Sequence, residues 1–345
     1  MSVASETRTL PAAWLRAPSF DLGFILGIAA VALISGLVAV QVPEIFPIVF
    51  LANIWLLGYH HVISTYTRLC FDRESFLKHR FLIFGVPPLL VAGTGLLAYF
   101  LGLWALASLY LYWQWFHYTR QSWGIAQIYR RKAGGITEEN EHLSKIAFYL
   151  LPLWGILHRS YQDPGSFLGL ELKVIPVPEL AVDLVGIAAV AAFAWWLISR
   201  ATMLWKGRLP LAHTLYLLSH YAIFYVGYLM IDDINAGWLV INIWHNAQYI
   251  AIVWLYNNNR YKDGIDPKAI FLSTISQTRN AWRYLLVCFA ISSLLYLGLN
   301  MAFASLAILV VIYQIINFHH YIVDGVIWKV RRKGVGRHFG IATSR

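Results

Sequence analysis

Long apolar runs alternate with short polar connectors along almost the whole chain. Each run spans roughly 15 to 22 residues and is apolar on every face, as expected for helices that cross a bilayer. The runs lie at about 22–42, 45–66, 81–101, 103–124, 143–157, 180–198, 211–230, 238–256, 284–301 and 303–323. The pattern therefore predicts an all-α fold, a polytopic transmembrane helical bundle of about ten spans.

Composition supports the same class. Of the 345 residues, 59% are hydrophobic and 13% are charged, whereas soluble domains carry about 25% charged residues. We expect an integral, multi-pass membrane protein whose first partner is the lipid bilayer, in the inner membrane if the source is bacterial. The net charge of +10 comes from short basic clusters at helix ends, which indicates membrane topology and no nucleic-acid partner.

Lysine and arginine are distributed unevenly between the connectors. They cluster after the second, fourth, sixth, eighth and tenth runs and are almost absent after the first, third, seventh and ninth. The positive-inside rule then places both termini in the cytoplasm. We predict a cytoplasmic N-terminal tail at 1–20, a single transmembrane helical domain at 21–328 and a basic cytoplasmic C-terminal tail at 329–345.

An aromatic residue followed by histidine recurs near the ends of four even-numbered runs. The units are Tyr59-His60-His61, Phe116-His117-Tyr118, Trp244-His245-Asn246 and Phe318-His319-His320. Because even-numbered runs descend to the same face and His213 starts a run on that side, His60, His61, His117, His213, His319 and His320 are expected to share the cytoplasmic half, with His220 and His245 nearer the middle. The candidate metal ligands are His60, His61, His117, His213, His220, His245, His319, His320 and Asp324.

Metal binding explains this gathering because neutral imidazole is the commonest metal ligand. His320 and Asp324 are four residues apart, so both side chains reach one face of their helix. Two histidines with one carboxylate form the facial set of non-haem iron oxygenases. Non-haem iron is therefore the expected cofactor, with haem, copper and zinc left open.

Other interpretations stay open at this stage. Any single histidine here can simply hydrogen-bond a neighbouring helix, as polar residues do in membrane bundles. The alternative function is a non-enzymatic multi-pass protein, a transporter or a haem- or quinone-binding protein. The spans carry few carboxylates, which argues against a proton-coupled carrier and against a carboxylate-bridged di-iron site.

The four aromatic-histidine stretches resemble, as a class, the multi-histidine integral-membrane iron enzymes. These include fatty-acid desaturases and hydroxylases and the bacterial membrane carotene-cleaving oxygenases. The resemblance implies an iron centre near the cytoplasmic face that uses oxygen on a lipid-soluble substrate. The H-x-x-H-H spacing of desaturases does not occur here, so no residue roles are transferred.

The resulting hypothesis is a membrane oxidoreductase of the oxygenase, desaturase or hydroxylase type. Its partners are a hydrophobic small-molecule substrate and an electron-transfer protein. Asp324 is a ligand or orients one. The core ligands are His60, His117, His245 and His320, and the supporting set is His61, His213, His220 and His319. Gln114, Gln121, Asn53, Ser64 and Asn242 have the spacing to hold the ligand rings.

Overall fold

The computed structural model describes residues 13–136, 139–329 and 333–341. Within these residues the chain is almost entirely helical, apart from one short antiparallel hairpin, β1 Ser166–Phe167 and β2 Leu170–Glu171. The helices, with their 3₁₀ and π-helical turns, are α1 Pro18–Gln41, α2 Pro43–Cys70, α3 Arg73–Lys78, α4 Phe81–Leu101, α5 Leu103–Lys132, α6 Glu141–Gln162, α7 Glu179–Trp205, α8 Leu211–Tyr225, α9 Ile234–Arg260, α10 Ile270–Ile275, α11 Thr278–Ala302, α12 Leu306–Ile327 and α13 Lys333–Arg337.

Six helices in the described ranges are long and apolar enough to cross a membrane, namely α1, α2, α4, α7, α11 and α12. This confirms the helical, membrane-type fold. The other four predicted runs form α5, α6, α8 and α9; α8 has only 15 residues, and α5 and α9 contain many buried polar side chains. The count of ten spans and the cytoplasmic termini stay predictions. The parts of the two predicted tails at 1–12, 330–332 and 342–345 lie outside the described residues.

Helix α9 lies at the centre of the bundle, since 21 of its 27 residues are buried. Protein surrounds it on every side, so its polar residues do not face lipid. Close packing needs small residues at the contacts. A Cβ on Gly36 of α1 would overlap Val240, and one on Gly237 would overlap the carbonyl oxygen of Gly227.

Polar side chains connect α9 to its neighbours α2 and α5. Asn53 donates from Nδ2 to Asn242 Oδ1 at 2.7 Å, and Asn242 in turn donates to the Tyr118 hydroxyl. Trp238 Nε1 donates to Gln114 Oε1 at 2.8 Å. These bonds fix three histidine-bearing helices against one another.

The described parts of both terminal segments lie at one end of the bundle. Lys132, the last residue of α5, donates from Nζ to the Leu15 carbonyl at 3.2 Å and to the Phe339 carbonyl at 3.3 Å. Arg68 of α2 lies at the end of α12, donating to the Ile327 carbonyl at 2.9 Å. The C-terminal ends of α2, α5 and α12 are therefore near the same end of the molecule.

Candidate metal centre

Four histidines from four different helices meet in the interior. They are His61 on α2, His117 on α5, His245 on α9 and His320 on α12, and all are buried. Ring centroids lie 4.7 Å apart for His61 and His320, and 4.9 Å apart for His117 and His245. Asp324 joins them, so two groups of ligand atoms lie within 4.8 Å, His61–His245–His320 and His117–His320–Asp324. Both groups could hold a metal ion.

His320 belongs to both groups. Its Nε2 lies 3.2 Å from His61 Nε2 and 3.7 Å from Asp324 Oδ2. One ring nitrogen ligates one ion, so the two groups cannot each hold an ion through His320 Nε2. Nitrogen ligands about 2.0–2.1 Å from a metal lie about 2.9–3.4 Å apart when they are neighbours around it, and 3.2 Å falls in that range.

The His61 ring is oriented by its own helix. Its Nδ1 lies 2.5 Å from the Gly58 carbonyl oxygen. A carbonyl only accepts, so Nδ1 carries the proton and Nε2 presents its lone pair to His320. Gly58 ends the π-helical turn Ile54–Gly58. Such a turn adds one residue and rotates the rest of the helix by about 100°, which accounts for His61 rather than His60 facing the cluster.

A second network holds His320 and Asp324 from the other side. Thr65 Oγ1 lies 2.8 Å from His320 Nδ1 and 2.6 Å from the Tyr249 hydroxyl. Tyr249 donates to Asp324 Oδ1 at 2.6 Å and accepts from Trp328 Nε1 at 2.9 Å. Metal-bound histidines and carboxylates usually have outer partners of this kind.

The decisive observation concerns the two remaining rings. Neither ring nitrogen of His245 has a hydrogen-bond partner among the described residues, although only 1% of the residue is exposed. His117 Nε2 is equally unpartnered and lies 4.0 Å from Asp324 Oδ2. A buried polar atom without a partner costs about 1–3 kcal/mol, and native proteins avoid it. A shared cation would bind one nitrogen of each ring.

No family model, curated protein or solved structure matches this chain. The functional assignment therefore depends on the geometry of these side chains.

Two of the predicted candidates have both ring nitrogens engaged by protein. His220 Nδ1 lies 3.0 Å from Ser122 Oγ, and its Nε2 lies 3.2 Å from the Phe148 carbonyl. His319 Nδ1 lies 2.8 Å from the Tyr66 hydroxyl, and its Nε2 lies 2.6 Å from the Leu82 carbonyl. Neither histidine belongs to the two ligand groups.

The remaining two candidates also lie outside those groups. His60 lines a separate apolar groove between α2, α9 and α11, with Trp282 in its wall. His213 lies near Arg130 and Arg200 at the start of α8. The structure thus gathers five of the nine candidates and disperses four.

Within the described residues, no hydrogen bond joins a clustered histidine ring to the side chains that were expected to hold it, those of Gln114, Gln121, Asn53, Ser64 and Asn242. Gln121 donates to the backbone carbonyl of His245 at 3.2 Å, and Ser64 donates to the His60 carbonyl. The partners that do reach the centre, Thr65 and Tyr249, were not predicted. Each lies four residues after a clustered histidine, so helical spacing from His61 and His245 would have indicated them.

A cavity of about 1120 Å³ adjoins the centre and reaches His117 and Asp324. Its wall is rich in aromatic rings, contributed by Trp113, Phe116, Trp123, Tyr249, Tyr321 and Trp328. Ligand pockets are typically apolar clefts with a few polar groups at the reacting end. The cavity therefore has the size and lining of a pocket for an apolar molecule next to His117 and Asp324.

Proposed function

We propose that this protein is an integral-membrane metalloenzyme that oxidises a hydrophobic substrate with molecular oxygen. Its centre holds one non-haem iron ion, with His61, His117, His245, His320 and Asp324 as the ligand set. The observation that carries the proposal is His245, a buried imidazole with two unpartnered nitrogens beside three other histidines.

The choice of iron rests on the donor set. His117, His320 and Asp324 supply two imidazoles and one carboxylate, the combination typical of non-haem iron centres that react with oxygen. Two of the three also line the cavity, so the face of the centre nearest His117 and Asp324 is the one open to a substrate. Bound iron would supply the oxidising chemistry, while the aromatic wall would bind and orient the substrate.

The topology is part of the proposal. Ten spans with both termini in the cytoplasm place the centre in the cytoplasmic half, where an electron-transfer protein can approach. Lys132 contacts both the Leu15 and the Phe339 backbone, so the two terminal segments lie at one end, as an even number of spans requires. The basic clusters at the ends of even-numbered runs support the same orientation.

A purely structural histidine cluster is the competing account. If His320 Nε2 carried a proton, it would donate to His61 Nε2 across the observed 3.2 Å. That hydrogen bond would satisfy two rings and leave both nitrogens of His245 unpartnered. A metal would bind one nitrogen each of His117 and His245, which that hydrogen bond leaves unpartnered, and for this reason we favour it.

The adjacent pair His60 and His61 provides the test. Protein purified in detergent without chelators is analysed for iron, copper and zinc and by visible absorption spectroscopy. His61→Ala is expected to lose the iron, and His60→Ala to keep it, because only His61 faces the cluster. Equal metal content in the two variants, or a haem spectrum, would contradict the proposal. Oxygen consumption that depends on the His61 side chain then tests the oxidative step.

A further inference from the structure

Helices α5 and α12, which form two walls of the cavity, run in the same direction. Trp113 stacks on Phe318 with centroids 4.9 Å apart, and one turn further along both helices His117 stacks on Tyr321 at 4.2 Å. Residues that come after His117 and Asp324 in sequence therefore lie toward the same end of the cavity. That end is the one to which Lys132 draws the two terminal segments.

The cavity wall changes character at the metal centre. On the inner side are aromatic and aliphatic groups, among them Trp113, Phe116 and Ile322. Beyond His117 and Asp324 the wall includes the basic residues Arg120, Arg131, Lys145 and Lys329. Glu141 is the only acid at this mouth in the described part of the wall. In the described part of the wall the basic residues thus lie only beyond the centre, where they are interspersed with apolar groups such as Trp123, Ile125 and Trp328.

Three of these cations lack a carboxylate partner. Arg120, Lys145 and Lys329 are exposed and form no ion pair within the described residues. Two buried cations outside the cavity, Arg130 and Arg200, are by contrast neutralised by Glu139. Unpaired cations around an apolar cleft attract an anion and discriminate against a neutral or cationic head group.

We infer that the ligand of this cavity is an anionic amphiphile, an apolar chain with a carboxylate or phosphate head. The head contacts Arg120, Lys145 and Lys329 at the mouth, and the chain extends inward past His117 and Asp324 to the aromatic wall. The assignment of this ligand as substrate rests on the proposed function, whereas its binding does not. A free carboxylate and an anionic lipid head group share the required chemistry.

Binding of matched amphiphiles tests the inference. Dodecanoate, dodecanol and dodecyltrimethylammonium are titrated into the protein in neutral detergent, with tryptophan fluorescence and calorimetry as readouts. Dodecanoate is expected to bind about tenfold more tightly than the other two, the range for a few partly exposed charge contacts. The triple variant Arg120→Gln, Lys145→Gln, Lys329→Gln is expected to lose this preference.

A matched triple variant controls for the loss of net charge. Lys206→Gln, Lys268→Gln, Arg279→Gln removes three exposed cations outside the cavity wall, and the preference for dodecanoate should remain. Equal binding of the three amphiphiles to the wild type, or a preference that survives in the cavity variant, would overturn the inference.

Phosphatidylglycerol in neutral-lipid nanodiscs distinguishes the two sources. If phosphatidylglycerol competes with dodecanoate in the wild type but not in the cavity variant, a lipid phosphate is a ligand of the cavity. If phosphatidylglycerol does not compete in the wild type, the ligand is a free carboxylate. His245→Ala separates this inference from the proposed function. If the wild type and His245→Ala both prefer dodecanoate but neither contains metal, only the metalloenzyme proposal fails. If the wild type contains metal but does not prefer dodecanoate, only the amphiphile inference fails.

Discussion

Two buried histidines, His220 on α8 and His245 on α9, show why burial does not identify a metal ligand. Both are almost completely inaccessible, at 0% and 1% exposure. His220 stacks on Phe148 at 3.8 Å and has a partner for each nitrogen. His245 lies among imidazoles and, within the described residues, has a partner for neither. The two regions differ in how the ring nitrogens are satisfied, and the candidate centre is the place where unpartnered nitrogens lie beside other imidazoles.

The comparison extends to the adjacent pair on α12. His319 is bonded on both sides by Tyr66 and Leu82, whereas His320 faces His61 and Asp324. Consecutive residues on a helix point about 100° apart, so one ring of the pair supports the fold and the other faces the cluster. This division between structural and ligand histidines can be tested one residue at a time.

The largest effect is expected at His320, which belongs to both ligand groups. His320→Ala should weaken metal binding by about 100-fold or more, since loss of an outer partner alone costs about 10–100-fold. His319→Ala should retain the metal and lose only the bonds to Tyr66 and Leu82. Metal content after dialysis measures the difference. Equal metal retention in the two variants would contradict the assignment of His319 as structural and His320 as a ligand.

A smaller effect is expected at Thr65, which contacts His320 but cannot itself bind the metal in this arrangement. Thr65→Val removes the hydroxyl next to His320 Nδ1 and Tyr249, and about tenfold weaker metal binding should result. Thr94→Val is the matched control, because the buried Thr94 hydroxyl donates only to Leu90 in its own helix. Competition with a chelator gives both affinities, and an unchanged value for Thr65→Val would contradict the outer network.

At His220 we expect a loss of stability without a loss of metal. His220→Ala removes the side-chain partner of the Phe148 carbonyl and one of the two partners of the Ser122 hydroxyl, which also contacts the Tyr216 hydroxyl, at a cost of about 1–3 kcal/mol in the free energy of unfolding. A lower Tm in detergent, with wild-type metal content, is the expected result. Loss of metal from this variant would show that the centre extends to α8.

The smallest effect concerns His338, a histidine outside the spans. Burial lowers its pKa to about 4 from 6.5, and Arg260 and Arg337 act in the same direction. The packed conformation of segment 333–341 favours neutral His338. Neutral His338 therefore stabilises this packing fully above pH 6.5, and the stabilisation is lost as the pH falls toward 4. Hydrogen exchange at 333–341 should increase over that interval, and His338→Gln should remove the dependence on pH.

Hydropathy alone was sufficient to predict the helical membrane class and several helix limits. The predicted run at 81–101 coincides with α4 Phe81–Leu101, because proline, glycine and lipid-facing apolar residues define it clearly. The run predicted to end at 124 continues to Lys132 as α5. Its polar last turns contact protein and the terminal segments, contacts that are invisible to a hydropathy scale.

The sequence also indicated part of the candidate site. His320 and Asp324 were expected on one helix face, and they lie 3.7 Å apart. Which of His60 and His61 faces the cluster depends on the π-helical turn Ile54–Gly58. The residue pattern does not predict this turn. The hydrogen bonds of His220 depend on Phe148, 72 residues away in sequence. Only the three-dimensional packing of α6 against α8 reveals that partner.

The most direct test of the central claim compares His245→Ala with His220→Ala, purified side by side with the wild type and analysed for metal. The account predicts about one iron per chain in the wild type and in His220→Ala, and less than about 0.1 in His245→Ala, because His245, unlike His220, presents unpartnered nitrogens to the cluster. Metal content that is the same in all three proteins, or negligible in the wild type, would contradict it.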